Sequence, residues 1–279
     1  MVINMAIIMD GIELRNRILN DLQIRTENMA IKPKLIAILV GDDMASKIYV
    51  RNKEKYASVA GIETQIIRMP NETDTKTIVE KIHELNSDKS VSGILVQLPL
   101  PKHIDTHVVL NAVDVNKDVD GFTDANVGKM YGAGKEFITP CTPRGILALL
   151  NAYDIDIAGK NAVVIGRSNI VGKPMAQMLM MQNATVTICH SKTKNISDFT
   201  RKADIVIAAT GKIKITGDML KTGCVLIDVG MQRDEKGKLC GDADFDSCSQ
   251  VAGFITPVPG GVGPMTIAGL MMNLVDLAQ

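Results

Sequence analysis

The length, composition and charge of the chain exclude several classes of protein. It has 279 residues, of which 46% are hydrophobic and 22% are charged, as in a folded globular protein and unlike a disordered chain. Lys and Arg total 31 and Asp and Glu total 31, so the formal net charge is zero and a nucleic-acid duplex or an anionic membrane is not favoured as a partner. With four Tyr, five Phe and no Trp, an aromatic platform for single-stranded nucleic acid is not expected either.

The cysteines and the hydrophobic pattern indicate a cytoplasmic protein. The five cysteines include no Cys-x-x-Cys pair, which indicates free thiols in a reducing compartment and not a disulfide framework or a zinc ribbon. No apolar run reaches the roughly 18 to 20 residues of a membrane span. The N-terminal segment MVINMAIIMDG lacks the basic start of a signal peptide and is expected to form a short strand or lead-in.

Helices and short apolar strands alternate along the first half of the chain, which predicts an α/β fold with a mainly parallel sheet. Helices are predicted over residues 11–28, 46–60, 75–86 and about 106–113. Strands are predicted over residues 35–40, 64–69 and 93–99. Residues 116–135 are rich in Gly, Asp and Asn and are predicted to form a loop.

The second half continues the alternation. Strands are predicted over residues 161–166, 185–189, 204–210 and 224–230, and a hairpin over 231–242 turns at Lys236–Gly237. Helices are predicted over 143–152, from 173, and from 263 to the end. The last of these carries an apolar stripe that should pack back on the first domain. We therefore predict one domain over residues 1–140 together with the helix 265–279, and a second over 141–264.

The segment VVIGRSNIVGKP, residues 163–174, follows a predicted strand and begins a predicted helix. Backbone N–H groups and the helix dipole can hold a pyrophosphate at such a turn. The segment is not a Walker A loop, because five residues separate Gly166 from Gly172, and it is not a strict G-x-G-x-x-G motif, because Ser168 replaces the second glycine. A purely structural strand-to-helix turn is the alternative to a cofactor site.

The end of the following strand favours NADP over NAD. An NAD site usually has an acidic residue there for the ribose 2′-OH, whereas this strand ends in Cys189, His190, Ser191 and Lys192. Arg167, Ser191 and Lys192 could donate to a 2′-phosphate. The same residues could also be ordinary solvated loop residues.

Polar residues of the first domain form a second candidate site. Tyr49 and Lys53 share one face of a predicted helix, although composition alone would make them surface residues. Gln97 ends an apolar strand, at the edge where α/β sheets bind ligands, and Asp118 and Asp120 follow in the loop KDVDGF. A third loop, TPVPGGVGPMT (256–266), is stiff and allows a ligand to approach its backbone closely.

Other reactive residue types do not predict a site. His103 and His107 have the spacing of metal ligands on a helix, but no third ligand is evident and Pro101 disfavours a regular helix, so no metal is predicted. Cys141 has no obvious base and is not expected to act as a nucleophile. The methionines at 178–181 and 271–272 are expected in the core.

Seven segments, in order over nearly the whole chain, resemble the bifunctional methylenetetrahydrofolate dehydrogenase/methenyltetrahydrofolate cyclohydrolase family. They are VGDDMASKIYVRNKEK (40–55), GILVQLPLP (93–101), NKDVDGF (116–122), TPCTPRG (139–145), VVIGRSNIVGKP (163–174), VLIDVG (225–230) and TPVPGGVGPMT (256–266). The departures are Met44, where the family often has Pro, and the short MVIN extension.

The resemblance implies two α/β domains flanking a cleft, the second a Rossmann-like, mainly parallel sheet that binds NADP, and a homodimer. The implied reactions are oxidation of 5,10-methylenetetrahydrofolate by NADP⁺ and hydrolysis of the resulting 5,10-methenyltetrahydrofolate to 10-formyltetrahydrofolate. The implied partners are therefore tetrahydrofolate one-carbon derivatives.

The resemblance also implies roles for single residues. Lys53 handles protons in the hydrolytic step, Gln97 hydrogen-bonds and tunes Lys53, Tyr49 lies against the folate rings, and Asp120 holds the pterin. These four are the predicted catalytic residues, and they bind substrate together with Pro259, Gly260 and Gly261. The predicted cofactor-binding residues are Gly166, Arg167, Ser168, Ile170, Val171, Gly172, Ser191, Gly211, Gly230 and Met231.

The chemistry suits these residue types. Hydride transfer needs the nicotinamide held against the one-carbon bridge and no acid or base from the protein. A protonated lysine is repelled by the methenyl cation, which favours the neutral amine that can accept a proton from water. The alternatives are another two-domain NADP-linked dehydrogenase, such as a shikimate dehydrogenase type, and a dinucleotide-binding sensor or scaffold without catalysis.

Overall fold

A computed structural model describes residues 5–132, 137–233 and 237–279 and has the mixed α/β architecture that the sequence predicts. Its strands are β1 (Ile7–Ile8), β2 (Lys34–Val40), β3 (Glu63–Met69), β4 (Gly93–Val96), β5 (Asn161–Ile165), β6 (Thr185–Cys189), β7 (Ile205–Ala208), β8 (Val225–Asp228), β9 (Gln232–Arg233), β10 (Leu239–Cys240) and β11 (Phe254–Ile255). Its helices are α1 (Gly11–Glu27), α2 (Met44–Val59), α3 (Thr75–Ser87), α4 (Thr106–Asn111), α5 (Asp124–Tyr131), α6 (Cys141–Ala152), α7 (Gly172–Met181), α8 (Ser197–Thr200), α9 (Phe245–Ser249) and α10 (Val262–Leu277). Among the described residues, no helix has both the length and the apolar character needed to cross a membrane.

The chain forms two compact units, each with its own sheet. Residues 16–141 and 267–279 form the three-stranded unit, and residues 5–15 and 142–266 form the six-stranded unit. The sequence-based boundaries assigned the first 15 residues to the other domain. They belong to the six-stranded unit because β1 pairs in parallel with β11, Ile7 lying opposite Phe254.

The six-stranded unit contains a parallel sheet with the order β1-β11-β8-β7-β5-β6. Strands β5, β7 and β8 are almost continuous apolar runs, which is what burial on both faces of a parallel sheet requires. The next two strands after β5 lie on opposite sides of it. The direction of winding therefore changes at β5, and ligands of such sheets bind at the carboxyl end of that point.

The three-stranded unit contains a parallel sheet with the order β3-β2-β4. The central strand β2 is apolar and almost wholly buried. One side of its core is completed by the last helix, α10, whose residues Leu270, Met271, Leu274 and Val275 pack with Leu19 and Val50. The apolar stripe seen in the sequence is thus the face of α10 that enters this core.

Two sequence predictions are wrong. The region 116–135 was predicted to be loop but contains α5, which begins after Thr123, whose hydroxyl accepts a hydrogen bond from the Asn126 N–H at 3.3 Å. Met180 and Met181 were predicted to be core residues but are 54% and 45% exposed. The predicted hairpin corresponds to the antiparallel pair β9 and β10, while Lys236 of its predicted turn lies outside the described residues.

Candidate active site and cofactor site

Lys53 and Gln97 are in contact where β4 ends in the three-stranded unit. The Lys53 Nζ donates to Oε1 of Gln97 at 3.0 Å, and the Gln97 Nε2 donates to the Leu98 carbonyl at 2.6 Å. Gln97 is only 8% exposed, so its amide is held by these two partners and not by solvent. The amide therefore presents its oxygen to the lysine and fixes the direction of the amine.

Helix α2 positions Lys53 and Tyr49 on the same face. It begins after Asp43, whose carboxylate accepts a hydrogen bond from the Ser46 N–H at 2.7 Å, as at a normal helix N-cap. Tyr49 lies one turn before Lys53 and is 38% exposed. Partial burial raises the pKa of its phenol above the ordinary value of 10.0, so the side chain presents a neutral hydroxyl and remains partly accessible.

Asp120 lies in the same electrostatic environment as Lys53. Burial raises the pKa of the Asp120 carboxyl above 3.8, and the Lys53 ammonium and the Cys141 thiol oppose that rise. The charge on Asp118 nearby acts in the same direction as burial. The Asp120 carboxylate therefore takes up a proton at a higher pH than an exposed aspartate does.

The loop that carries Asp120 is shaped by Asp118, which is 4% exposed. The Asp118 carboxylate accepts hydrogen bonds from the N–H groups of Gly121 and Thr123, both at 2.9 Å, from the Thr123 hydroxyl at 2.8 Å and from the Asn126 amide at 2.9 Å. Gly121 has a φ of +67°, and a Cβ there would lie 2.5 Å from the Ile138 carbonyl oxygen. The sequence indicated Asp118 as a candidate polar residue of this loop, but it did not predict that its carboxylate would organise the loop backbone.

Cys141 was also not predicted to belong to the site. Its Sγ lies 3.3 Å from Oδ1 of Asp120 and 3.3 Å from the Val119 carbonyl oxygen. The thiol therefore donates its hydrogen to the Asp120 side chain or to the peptide before it. The chain separation of 21 residues explains why no local pattern in the sequence indicates this contact.

Pro259, Gly260 and Gly261 belong to the six-stranded unit, in the loop between β11 and α10. Gly260 has a φ of +114°, and its carbonyl accepts a hydrogen bond from the Gly11 N–H at 3.0 Å. Gly261 donates to the Pro257 carbonyl at 2.8 Å. The loop is therefore a tight backbone turn that places little side-chain bulk in front of its peptides.

The turn after β5 requires glycine at two positions. Gly166 has a φ of +129°, and a Cβ there would lie 2.3 Å from the Ala209 carbonyl oxygen. A Cβ on Gly172 would lie 2.3 Å from the Gly166 carbonyl oxygen. The Ser168 Oγ accepts hydrogen bonds from the N–H groups of Val171 and Gly172, both at 3.2 Å. Backbone packs directly on backbone here, as at the dinucleotide turns of Rossmann-like sheets.

The neighbouring strand ends supply the other predicted cofactor contacts. Arg167 and Ser191 are exposed, Ile170 is 46% exposed and Met231 is 55% exposed. Gly211 has a φ of +62° and open space around the position of a Cβ. All of these residues follow β5, β6, β7 or β8 at the carboxyl edge of the sheet, so the donor set and the backbone geometry fit a dinucleotide with a 2′-phosphate.

The buried carboxylate of Asp242 organises two of these strand ends. Its Oδ2 accepts hydrogen bonds from the N–H groups of Thr210 and Gly211 at 2.7 and 3.0 Å, and its Oδ1 accepts from the Gln232 amide at 2.7 Å. A Cβ on Gly230 would lie 2.4 Å from the Asp242 nitrogen. Asp242 was not predicted, and its position just after the short strand β10 offers no local signal for this role.

The two histidines considered as metal ligands have other partners. The His103 Nε2 lies 3.0 Å from the Thr73 carbonyl oxygen, and the His107 Nε2 lies 3.1 Å from Oδ2 of Asp124. Among the described residues, no group of three His, Cys, Asp or Glu side chains is arranged to hold a metal ion.

Comparison with known proteins supplies the family. The model of the tetrahydrofolate dehydrogenase/cyclohydrolase catalytic domain matches residues 9–120, and the model of the NAD(P)-binding domain of the same family matches residues 140–279. A relative from Paraburkholderia xenovorans (strain LB400), named bifunctional protein FolD, is 50% identical over 278 residues, which cover 98% of this chain and 97% of the relative.

Two solved structures have the same fold over nearly their whole length. The bifunctional enzyme FolD, a methylenetetrahydrofolate dehydrogenase/cyclohydrolase from Campylobacter jejuni, is 45% identical with a TM-score of 0.95 and covers 97% of this chain and 98% of its own. The methylenetetrahydrofolate dehydrogenase-cyclohydrolase of Trypanosoma brucei, solved with NADP and an inhibitor, is 33% identical with a TM-score of 0.92 and covers 99% and 98%. This chain therefore belongs to the tetrahydrofolate dehydrogenase/cyclohydrolase family, which confirms the resemblance identified from its sequence.

Proposed function

We propose that this chain catalyses two consecutive reactions on one-carbon units carried by tetrahydrofolate. It oxidises 5,10-methylenetetrahydrofolate with NADP⁺ and hydrolyses the 5,10-methenyltetrahydrofolate so formed to 10-formyltetrahydrofolate. Membership of the family supports both activities. The observation that carries the proposal is the contact of Lys53 with Gln97 at 3.0 Å beside the Asp120 carboxyl, because a positioned amine and a carboxylate are what the hydrolytic step and pterin binding need.

Lys53 is the base of the hydrolytic step. One N–H of Lys53 is held by the Gln97 oxygen, which directs the nitrogen lone pair toward the water that attacks the methenyl carbon. Lys53 takes the proton of that water, and Gln97 acts through Lys53 as a positioning residue.

Asp120 and Tyr49 bind the substrate. The Asp120 carboxylate accepts two adjacent N–H groups of the pterin, since a carboxylate can accept two hydrogen bonds side by side. The exposed part of the Tyr49 ring offers an apolar face to the p-aminobenzoyl ring. Pro259, Gly260 and Gly261 are proposed to contact folate through their backbone.

The cofactor is held at the carboxyl edge of the six-stranded sheet. Gly166, Ser168, Ile170, Val171 and Gly172 form the turn that receives the pyrophosphate. Arg167 and Ser191 donate to the 2′-phosphate, and Gly211, Gly230 and Met231 line the strand ends beside it. NADP⁺ bound there supplies the hydride acceptor of the oxidation step.

The homodimer expected from the family is proposed to form on the edge of the six-stranded sheet. Strand β6 is the last strand of that sheet and carries Ile188, which is 43% exposed. Met180 and Met181, at the end of α7, are also exposed. An open edge strand with apolar side chains around it is a surface that proteins usually cover.

Location in the cytoplasm is proposed from the five free thiols.

A spectrophotometric assay tests the function. Methylenetetrahydrofolate and NADP⁺ are added to the purified protein, and the absorbance of NADPH and of the methenyl product is followed. The expected result is formation of NADPH together with a methenyl signal that rises and then decays as hydrolysis proceeds. Absence of a signal with both NADP⁺ and NAD⁺ would contradict the proposal and favour a non-catalytic scaffold.

A further inference from the structure

A buried amide lies on an otherwise apolar face of α10. Asn273 has no exposed surface. Leu270, about one helical turn before it, and Leu274, the next residue, are both buried and apolar. A polar side chain in such surroundings is retained where its hydrogen-bonding groups find partners. The partners of Asn273 therefore indicate what it does.

Both hydrogens of the Asn273 amide are donated to backbone carbonyls near the candidate active site. The Nδ2 lies 2.7 Å from the Val119 oxygen and 2.8 Å from the Thr139 oxygen. A side-chain amide has two N–H groups, so both are used in these two contacts. Val119 immediately precedes Asp120, and its contact with Asn273 therefore holds the peptide from which the Asp120 side chain extends.

The second contact holds the segment that carries Cys141. The Cys141 Sγ lies 3.5 Å from the Asn273 Nδ2 and 3.3 Å from Oδ1 of Asp120. Thr139, the other acceptor, is two residues before Cys141. Asn273 thus bridges two chain segments, one bearing the carboxylate and the other bearing the thiol that lies 3.3 Å from it.

The two segments are packed too closely to adjust independently. A Cβ on Gly121 would lie 2.5 Å from the Ile138 oxygen and 3.0 Å from the Thr139 carbonyl carbon. Loss of the Asn273 bridge would remove the amide donor of the Thr139 carbonyl and would leave the Val119 carbonyl with only the weaker Cys141 thiol, 3.3 Å away. The segments would then move apart or admit water, and either change would turn the Asp120 carboxylate.

We propose that Asn273 is a positioning residue for folate binding, because its bridge between Val119 and Thr139 sets the direction of the Asp120 carboxylate and keeps the Cys141 thiol against it. This role depends on the pterin contact proposed above for Asp120. Asn273 itself touches neither folate nor the cofactor.

The test is a steady-state analysis of Asn273→Leu, which keeps the approximate volume and removes both donors. We expect the KM for methylenetetrahydrofolate to rise by about tenfold or more, and the KM for NADP⁺ to stay within about twofold of the wild-type value. Thr26→Val is the matched control: it removes a buried hydroxyl that donates to the Ala60 carbonyl at 2.8 Å in the same unit. It should lower the melting temperature without changing either KM. An equal rise of both KM values in Asn273→Leu would overturn the role.

Asp120→Asn and the double variant separate this role from the proposed function. If Asn273 acts through Asp120, Asn273→Leu should add little to the folate KM of Asp120→Asn. A full additional effect in the double variant would overturn the positioning role while leaving the function intact. An unchanged folate KM in Asp120→Asn itself would contradict the function of Asp120, and this role with it. If Asn273→Leu does not fold, Asn273→Ser, which keeps one donor, should give a smaller rise in the folate KM, and no rise would overturn the role.

Discussion

At the scale of single residues, the charges of the Lys53 amine and the Asp120 carboxyl influence each other in the three-stranded unit. The Lys53 ammonium favours the ionised form of Asp120, while burial has the larger and opposite effect on its pKa. Lys53 also donates a hydrogen bond to Gln97. Three side chains from α2, the end of β4 and the loop before α5 therefore share one network, in which a change at one residue is felt by the others.

The raised pKa of Asp120 predicts the acid side of the pH profile. The pterin contact needs the ionised carboxylate, which is lost as the pH falls through a pKa above 3.8. Activity should therefore decline at a higher pH than an exposed aspartate would allow. We expect kcat/KM for folate, measured from roughly pH 4 to pH 9, to show this acid limb in the wild type and to lose it in Asp120→Asn. The same limb in both proteins would assign it to another group.

Arg167 and Ser191 should set the choice of NADP over NAD. A hydrogen bond to a charged group contributes about 1.5–3 kcal/mol, so Arg167→Ala should raise the KM for NADP⁺ by about tenfold or more. Ser191→Ala should have a smaller effect in the same direction, and the KM for NAD⁺ should change little in either variant. Lys202→Ala, an exposed residue of the same unit, is the control. An equal rise in the KM values for NADP⁺ and NAD⁺ would show that Arg167 and Ser191 do not recognise the 2′-phosphate.

The residues of the candidate site differ in how far the sequence could predict them. Tyr49 and Lys53 share a helical face, a local relation that spacing reveals. Gln97 stands out as a polar residue at the end of an apolar strand. Cys141 contacts Asp120, and Asn273 contacts the preceding residue, Val119, from segments far along the chain. Such contacts depend on how the helices pack, which periodicity does not describe.

At the scale of elements, apolar periodicity predicted the long helices and the buried strands, but it missed α5 and several very short elements. Helix α5 was missed because its sequence, DANVGKMY, contains Gly and Asn, which are weak helix formers. Its stability comes from the Thr123 cap and from burial of Asn126 and Met130. The elements α8, α9 and β11 have two to five residues each, too few for a periodic signal.

The strand-to-helix turn between β5 and α7 should not tolerate a side chain at Gly172. Gly172→Ala would place a Cβ 2.3 Å from the Gly166 oxygen, and the helix start would have to move away from the turn. We expect a loss of about 1–3 kcal/mol in the free energy of unfolding and weaker binding of NADP⁺, measured by chemical denaturation and isothermal titration calorimetry.

Gly263→Ala is the control for the Gly172 substitution. A Cβ at Gly263 would have no atom within 4 Å, and the residue lies near the start of α10 in the same unit. The free energy of unfolding of Gly263→Ala and its affinity for NADP⁺ should stay close to the wild-type values. Equal behaviour of the two alanine variants would show that the close backbone packing at Gly172 has no consequence for the cofactor site.

At the scale of the whole molecule, the aromatic-poor composition is compensated by aliphatic residues and methionine. Met9, Met175, Met265 and Met271 are fully buried, so methionine fills core volume in both units. Met180 and Met181 do not follow this rule, and with Ile188 they leave an apolar surface beside the edge strand β6.

Charge on that surface should prevent the proposed dimer. Ile188→Glu places a carboxylate on an edge strand. Charged side chains on edge strands prevent the strand from pairing with another chain. We expect the wild type to sediment as a dimer and Ile188→Glu as a monomer at the same concentration. Ile24→Glu, which changes an exposed apolar residue of the other unit (61% exposed against 43% for Ile188), should leave the dimer intact. A wild-type monomer, or a dimer that persists in Ile188→Glu, would contradict the proposed interface.

The central claim is that one amine, Lys53, serves the hydrolytic step, whereas hydride transfer needs no proton from the protein. Lys53→Met tests it most directly, with Lys55→Met, an exposed lysine of the same helix, as the control. We expect cyclohydrolase turnover of Lys53→Met to fall by about a hundredfold or more, the usual contribution of a positioned base, while NADPH formation persists and methenyltetrahydrofolate accumulates. Cyclohydrolase turnover equal to that of the wild type in Lys53→Met would contradict the account.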